Sequence, residues 1–104
     1  MKEQRTYELA GDARGQLEHF DVYVQRIIVD SLRQQLVDAD PATETVHKGI
    51  LKEPVGDATH KIEIRAWRAY YKIERAADVI RSVVLIIGEK RGNKLFVEGK
   101  EYPT

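Results

Sequence analysis

The spacing of apolar residues predicts helices in the first part of the chain. Apolar positions recur there at intervals of three and four, which places them on one face of a helix; they are Ala13, Leu17, Phe20, Val24, Ile27, Ile28, Leu32 and Leu36. Asp12 and Asp21 are suitable N-caps for two such helices, and Pro41 ends the second, because a residue before proline avoids the helical region. The pattern therefore predicts a helical hairpin from about residue 12 to residue 38.

Beyond this hairpin, alternation of apolar and polar residues predicts a series of short strands. They cover residues 5–9 (before the hairpin), 61–65, 67–73, 79–87, 94–97 and 100–102. The stretch 79–87 is β-branched and apolar at almost every position, as expected of a central strand. Residues 42–58 contain Gly49, Pro54 and Gly56 and are predicted to be a loop.

These elements predict one α+β domain covering residues 1–104, with an N-terminal helical hairpin packed on a small, curved, mostly antiparallel β-sheet. A chain of 104 residues is long enough for a single core. It contains no cysteine, which excludes disulfides, thiolate metal sites and cysteine nucleophiles. No apolar stretch approaches the roughly 20 residues of a membrane span, and no signal-peptide core follows Met1. We therefore expect a cytoplasmic protein with no membrane partner.

Most searches for catalytic chemistry in the sequence give nothing. The three histidines lack metal-ligand spacing, so no metal and no other cofactor is predicted. What remains is a group of cations on predicted strands and the loop after them: Arg65, Arg68, Lys72, Lys90, Arg91 and Lys94. Guanidinium groups match the oxygens of phosphate, and Tyr70 among them could stack on a base. The alternative is that these residues form the ordinary solvated face of a sheet.

Four stretches carry a resemblance to a known family by their order and spacing. They are FDVYVQRIIVDSLRQQL at 20–36, KIEIR at 61–65, WRAYYKI at 67–73 and VVLIIGEKR at 83–91. Over about residues 7–97 the chain resembles the RelE/ParE superfamily of bacterial toxins, which belong to type II toxin–antitoxin modules and contribute to plasmid stabilisation. The resemblance implies a fold of the predicted kind and a cognate antitoxin as partner.

The resemblance implies two activities of different classes. RelE-like members cleave messenger RNA on the ribosome, through attack of a ribose 2′-hydroxyl on the adjoining phosphate. That reaction needs a base, an acid and cations for the developing charge. By position, the resemblance assigns catalytic roles to Arg68, Arg91 and Lys61. The remaining candidates are RNA-binding residues: Arg65, Lys90, Lys94 and Tyr70.

The leading expectation is a RelE-like toxin, a ribosome-dependent mRNA endoribonuclease whose partners are the antitoxin, the ribosome and messenger RNA. Glu63 and Phe96 depart from the pattern, because they stand where the resemblance implies a second lysine and a tyrosine. Tyr102 is a substitute for that tyrosine, but it lies beyond the matching stretch. Two alternatives therefore stay open. One is a ParE-like inhibitor of DNA gyrase, and the other is a catalytically inactive module that binds an antitoxin.

Overall fold

The computed structural model describes residues 3–103, and this part of the chain forms seven strands and two α-helices. In chain order they are β1 (Gln4–Leu9), α1 (Ala13–Glu18), α2 (Val22–Arg33), β2 (Lys48–Val55), β3 (Ala58–Ile64), β4 (Trp67–Ala76), β5 (Val79–Arg91), β6 (Lys94–Val97) and β7 (Lys100–Glu101). A π-helical turn, Gln34–Asp38, continues α2. Within these residues, no helix combines the length and apolar character that a membrane crossing requires.

The predicted architecture, an N-terminal helical hairpin packed on a small sheet, is wrong. About 50% of the protein is strand and 23% helix, and the sheet curls into a half-barrel. Strand β1 precedes the helices, and α1 packs mainly against β5 rather than against α2. The apolar stripes of both helices were correctly placed, but each stripe faces the sheet: Ala13 and Leu17 join the same core as Ile28 and Leu32.

The predicted loop at residues 42–58 is also wrong, because it contains β2 and the beginning of β3. Strand β2 pairs with β3 in antiparallel fashion, and their register shifts between Ile50 and Val55. Pro54 therefore falls where the ladder is interrupted, on a strand at the edge of the sheet. Proline is tolerated in such a position, although it would break a central strand.

Strand β5 is the centre of the sheet and changes partners along one side. It pairs with the antiparallel β4 over most of its length, while its other side pairs first with the parallel β1 and then with the antiparallel β6. The pairing with β1 ends at Val84, and that with β6 begins at Glu89. Between them, the backbone N–H of Ile87 donates to Oε1 of Gln16 at 2.8 Å. A buried side chain of α1 thus supplies the acceptor that neither strand provides.

Each face of the sheet carries its own core. The larger core lies under the helices and includes Tyr71, Val84 and Ile87. On the opposite face, called here the distal face, a smaller core of Ala58, Tyr70, Ile86 and Leu95 is covered by partly buried residues that include Tyr102. Gly88 lets β6 approach β5 closely, since a Cβ there would lie 2.6 Å from the carbonyl oxygen of Phe96.

The carbonyl groups at the C-terminal end of the helical segment are bonded by side chains from three strands. Nε of Arg5 donates to the carbonyl of Val37 at 2.8 Å, and Nζ of Lys48 donates to that of Gln35 at 2.9 Å. The hydroxyl of Tyr71 donates to the carbonyl of Pro41 at 2.6 Å, in a buried contact. A helix leaves its last carbonyls without internal partners. These contacts satisfy that need and fix the helix on the sheet.

We expect Gln16→Met to destabilise the protein by about 2 kcal/mol, because the buried N–H of Ile87 would lose its acceptor while the apolar volume stays similar. The measurement is the free energy of unfolding in urea. Gln34→Met is the matched control, since Gln34 is exposed on the helical segment. Equal stability of the Gln16→Met variant and the wild type would show that the bond does not hold the gap together.

Candidate functional site

The alternation of side chains along β3, β4 and β5 brings several predicted site residues to the distal face. Directly paired residues of neighbouring strands share a face. Lys61 on β3 pairs with Tyr70 on β4, and Arg68 pairs with Gly88 on β5. Lys90 lies two residues beyond Gly88 and so returns to the same face. Lys61, Arg68, Tyr70 and Lys90 are therefore neighbours across three strands.

Three of these residues line one groove, called here the distal groove, of about 250 Å³. Lys61, Tyr70 and Lys90 form part of its wall, and the rest comes from Leu51, Glu53, Pro54, Val55, Asn93 and Leu95. The groove thus lies between β2 and the turn that joins β5 to β6. The β2 residues were missed from the sequence because that segment was taken for a loop; the apolar Ile50, Leu51 and Val55 within it were the available signal.

Arg68 lies beside the groove with its side chain held by the backbone. Its Nη1 donates to the carbonyl of Arg65 at 2.8 Å and to that of Trp67 at 2.9 Å. Within residues 3–103, Nε and Nη2 have no protein acceptor, and the guanidinium forms no ion pair. A guanidinium that is oriented by the backbone and keeps a free edge is suited to binding an anion such as phosphate.

The charges at the far end of the distal face are neutralised. There Arg81 pairs with Glu8 at 3.1 Å and also with Glu74, while Lys72 pairs with Glu74 at 3.4 Å. These four residues belong to β1, β4 and β5 and form an alternating network of both signs. Solvent-exposed pairs of this kind contribute little to stability, but they leave no excess charge for a ligand.

The charges near the distal groove are less fully paired. Lys61 bonds to Glu63 at 3.1 Å, whereas Arg68 and Lys90 have no carboxylate partner in the part of the chain that the structure describes. The positive excess of the distal face is therefore concentrated at the groove. An overall charge of zero conceals this local excess.

Two titratable groups at the groove have shifted pKa values. The hydrogen bond from Lys61, with smaller contributions from Arg68 and His47, lowers the pKa of Glu63, so that this carboxylate is ionised at neutral pH. Burial raises the pKa of Tyr70, although the nearby Arg68 opposes the shift. Tyr70 therefore remains a neutral phenol, able to donate a hydrogen bond.

The other predicted site residues lie elsewhere. Arg91 follows Lys90 by one residue and so lies on the opposite face, where it packs 4.6 Å from the ring centre of Phe96 and pairs with Glu89 at 2.9 Å. Lys94 pairs with Glu101 at 3.6 Å on the short outer strands. The structure therefore does not bring Arg91 or Lys94 to Arg68.

Arg65 occupies the turn between β3 and β4, with a positive φ of 57°. It lines a different hollow, on the helix side of the sheet, together with Ser31 and His47 of the helical segment and the following loop. The contribution of Arg65 to the candidate site is its backbone carbonyl, which orients Arg68.

Known protein families and metal chemistry offer no further guide to this site. The chain matches no model of a known protein family and no curated protein sequence. Among residues 3–103, no three acidic or histidine side chains converge in a way that would hold a metal ion. The function must therefore be inferred from the local chemistry of the distal groove.

We expect the free energy of unfolding to fall as the pH rises above about 10, the ordinary pKa of tyrosine. Burial raises the folded-state pKa of Tyr7, Tyr70 and Tyr71, so their stabilising contribution is complete below that pH and is lost as the unfolded state ionises. Lys48, whose pKa burial lowers, acts in the opposite direction. Tyr70→Phe should therefore show a smaller alkaline loss than the wild type.

Urea unfolding between pH 8 and roughly pH 11 measures this difference. Tyr23→Phe is the matched control, because that side chain is 67% exposed. An identical pH dependence for Tyr70→Phe and the wild type would contradict the burial of the phenol.

Proposed function

We propose that this protein is the toxin of a type II toxin–antitoxin module and blocks translation by cleaving messenger RNA, in the manner of RelE-like members of the RelE/ParE superfamily. The observation that carries the proposal is the distal groove. There Arg68 and Lys90, without carboxylate partners among residues 3–103, lie on the same face as Lys61 and the aromatic ring of Tyr70. Oriented cations beside an aromatic ring suit a phosphodiester with its attached base.

In the proposed reaction, a ribose 2′-oxygen attacks the adjoining phosphorus and the bond to the 5′-oxygen breaks, which gives a cyclic phosphate and a free 5′-hydroxyl. Glu63 accepts the 2′ proton, since it is ionised and lies directly across from Arg68. Arg68 and Lys61 bind the non-bridging oxygens, and Lys90 offsets the charge on the leaving oxygen. A carboxylate with a lowered pKa is a weak base. The proposed enzyme therefore depends on the ribosome to align the RNA.

The proposal also names partners and a location. It places the protein in the cytoplasm with ribosomes and with a cognate antitoxin that neutralises it. The exposed side of the helices and the free edge of the sheet are the surfaces proposed for the antitoxin. Val22 and Tyr23 on α2 support this choice, being 63% and 67% exposed although one is apolar and the other aromatic.

A second candidate function is inhibition of DNA gyrase, as in ParE-like members. The contact between Arg91 and Phe96 favours it, because the ring occupies the place where the resemblance implies a tyrosine and has no proton to offer. In this case the toxin acts by binding a protein, and the distal groove performs no cleavage.

Expression of the wild type without an antitoxin should arrest growth by stopping protein synthesis, and Arg68→Ala should abolish the arrest. Loss of one preorganised charged donor lowers a rate by about 100- to 1,000-fold. Pulse labelling with radioactive methionine and thymidine after induction separates the targets. Continued protein synthesis alongside stalled DNA synthesis would contradict the ribonuclease proposal and favour gyrase.

Arg75→Ala is the matched control for this experiment, since Arg75 is an exposed arginine near the other end of β4. Arg68 also bonds to the turn that contains Arg65, so circular dichroism and thermal melting must show that Arg68→Ala folds. A folded Arg68→Ala variant that still arrests translation would remove Arg68 from the site.

Glu63→Gln should separate binding from cleavage. The substitution removes the proposed base and also the negative partner of Lys61, so cleavage should fall by about 100-fold or more while RNA binding becomes tighter. Cleavage on purified ribosomes and binding of an uncleavable RNA are the two measurements. A Glu63→Gln variant that cleaves at the wild-type rate would exclude Glu63 as the base.

A further inference from the structure

The distal groove continues beyond the residues that the proposed function uses. A second hollow, of about 650 Å³, is lined by Ile50, Leu51, Lys52, Glu53 and Lys61. Leu51, Glu53 and Lys61 also line the distal groove. The two hollows therefore meet at Lys61 and form one channel, which runs from Lys90 across β3 to Lys52 at the free edge of the sheet. We call this channel the extended groove.

The extended groove carries a row of lysines. Lys90 lies at one end, Lys61 in the middle and Lys52 at the other end, and Glu53 is the acidic residue that lines both hollows. Lys52 and Lys90 form no ion pair within residues 3–103. Separated cations along a channel match a polymer with repeated negative charges better than a single compact anion.

Apolar and aromatic surface alternates with these cations. Ile50 is 60% exposed beside Lys52, and the ring of Tyr70 lies between Lys61 and Lys90 in the wall of the distal groove. Single-stranded nucleic acids are bound by this combination, in which cations hold the phosphates and exposed apolar or aromatic side chains carry the bases.

The backbone of β2 is poorly suited to a peptide that would add a strand at this edge. Oε1 of Glu44 accepts from the N–H of Ile50 at 3.2 Å, and Thr45 forms a β-bridge with Lys48. Pro54 has no N–H to donate. The outer edge of β2 is therefore largely occupied, and a ligand must be recognised by side chains rather than by strand addition.

We propose that the extended groove binds single-stranded RNA over several nucleotides, and that Lys52 and Ile50 form a flanking subsite outside the reacting centre. The identity of the polymer as RNA rests on the proposed function, whereas the course of the channel rests on its lining residues. Lys90 and Lys61 hold phosphates at the reacting end, and Lys52 holds a phosphate at the edge of the sheet. Ile50 packs against the base of the flanking nucleotide.

The test compares two labelled oligouridylates, a dinucleotide and a hexanucleotide, both 2′-O-methylated so that cleavage is blocked. Fluorescence anisotropy with the full chain measures their affinities at several salt concentrations. Lys52→Gln should weaken hexanucleotide binding about fivefold and lower the salt slope by about 0.7, the value for one phosphate contact on a single strand. Binding of the dinucleotide should be unchanged, whereas Lys90→Gln should weaken both.

Two further variants sharpen the comparison. Glu53→Gln should tighten hexanucleotide binding, because it removes the acidic residue from both hollows. Arg26→Gln is the matched control, since it removes one positive charge from the exposed surface of α2, and it should change neither affinity.

Wild-type hexanucleotide affinity for Lys52→Gln, together with weakened binding for Lys90→Gln, would overturn the flanking subsite while leaving the proposed function intact. Competition by a hexaglutamate peptide with the same dependence on Lys52 would overturn the assignment to RNA. Failure of the proposed function is recognised separately, by continued protein synthesis after induction.

Discussion

The fold depends on how β5 keeps its backbone hydrogen-bonded while it exchanges one neighbour for another. An unsatisfied buried N–H costs about 1–3 kcal/mol, a large part of the net stability of a small domain. Gln16 supplies the acceptor at the exchange point, so that α1 is bound to the sheet where β1 has ended and β6 has not begun. The bare Cα of Gly88, next in the chain, lets β6 approach at that point. The curl of the sheet and the seat of α1 therefore have a common origin.

The opposite faces of β4 connect this framework to the candidate site. Tyr71 faces the helices and is fixed by its buried bond to the carbonyl of Pro41, while the preceding Tyr70 lines the distal groove. Adjacent residues of a strand cannot move independently. The bond that fixes the end of the helical segment therefore also limits the movement of the groove wall. Side chains of a site are most precise when regular elements carry them.

Local periodicity identified much of the secondary structure but could not identify the packing. The hairpin of β3 and β4 and the strand at Lys94–Val97 were recognisable, because their alternation is regular. The helical stripes were recognisable too, yet a stripe shows only that a face is buried and not what buries it. Strand β2 was missed because Gly49 and Pro54 interrupt central strands, whereas an edge strand accommodates both.

The candidate site was predictable to the extent that register could be inferred. Lys61, Tyr70 and Lys90 meet as expected of cations on neighbouring strands. Arg91 does not join them, because a shift of one residue along a strand reverses the face. The sequence left the choice between Lys90 and Arg91 open, and only the pairing of Arg68 with Gly88 decides which of the two shares its face. The resemblance to a family could not settle this point, since it depends on register.

The parallel pairing of β1 with β5 has a consequence for the newborn chain. Strand β1 is among the first segments synthesised, yet the strand it needs is completed only when Arg91 has been added. Closing so long a loop is slow, because its entropic cost precedes any gain from contact. Until then β1 has no β5 to pair with, and the groove lacks the wall that Lys90 provides. A ribosome making this protein therefore holds a harmless chain almost to the end of translation, and whatever activity the groove has begins only after release.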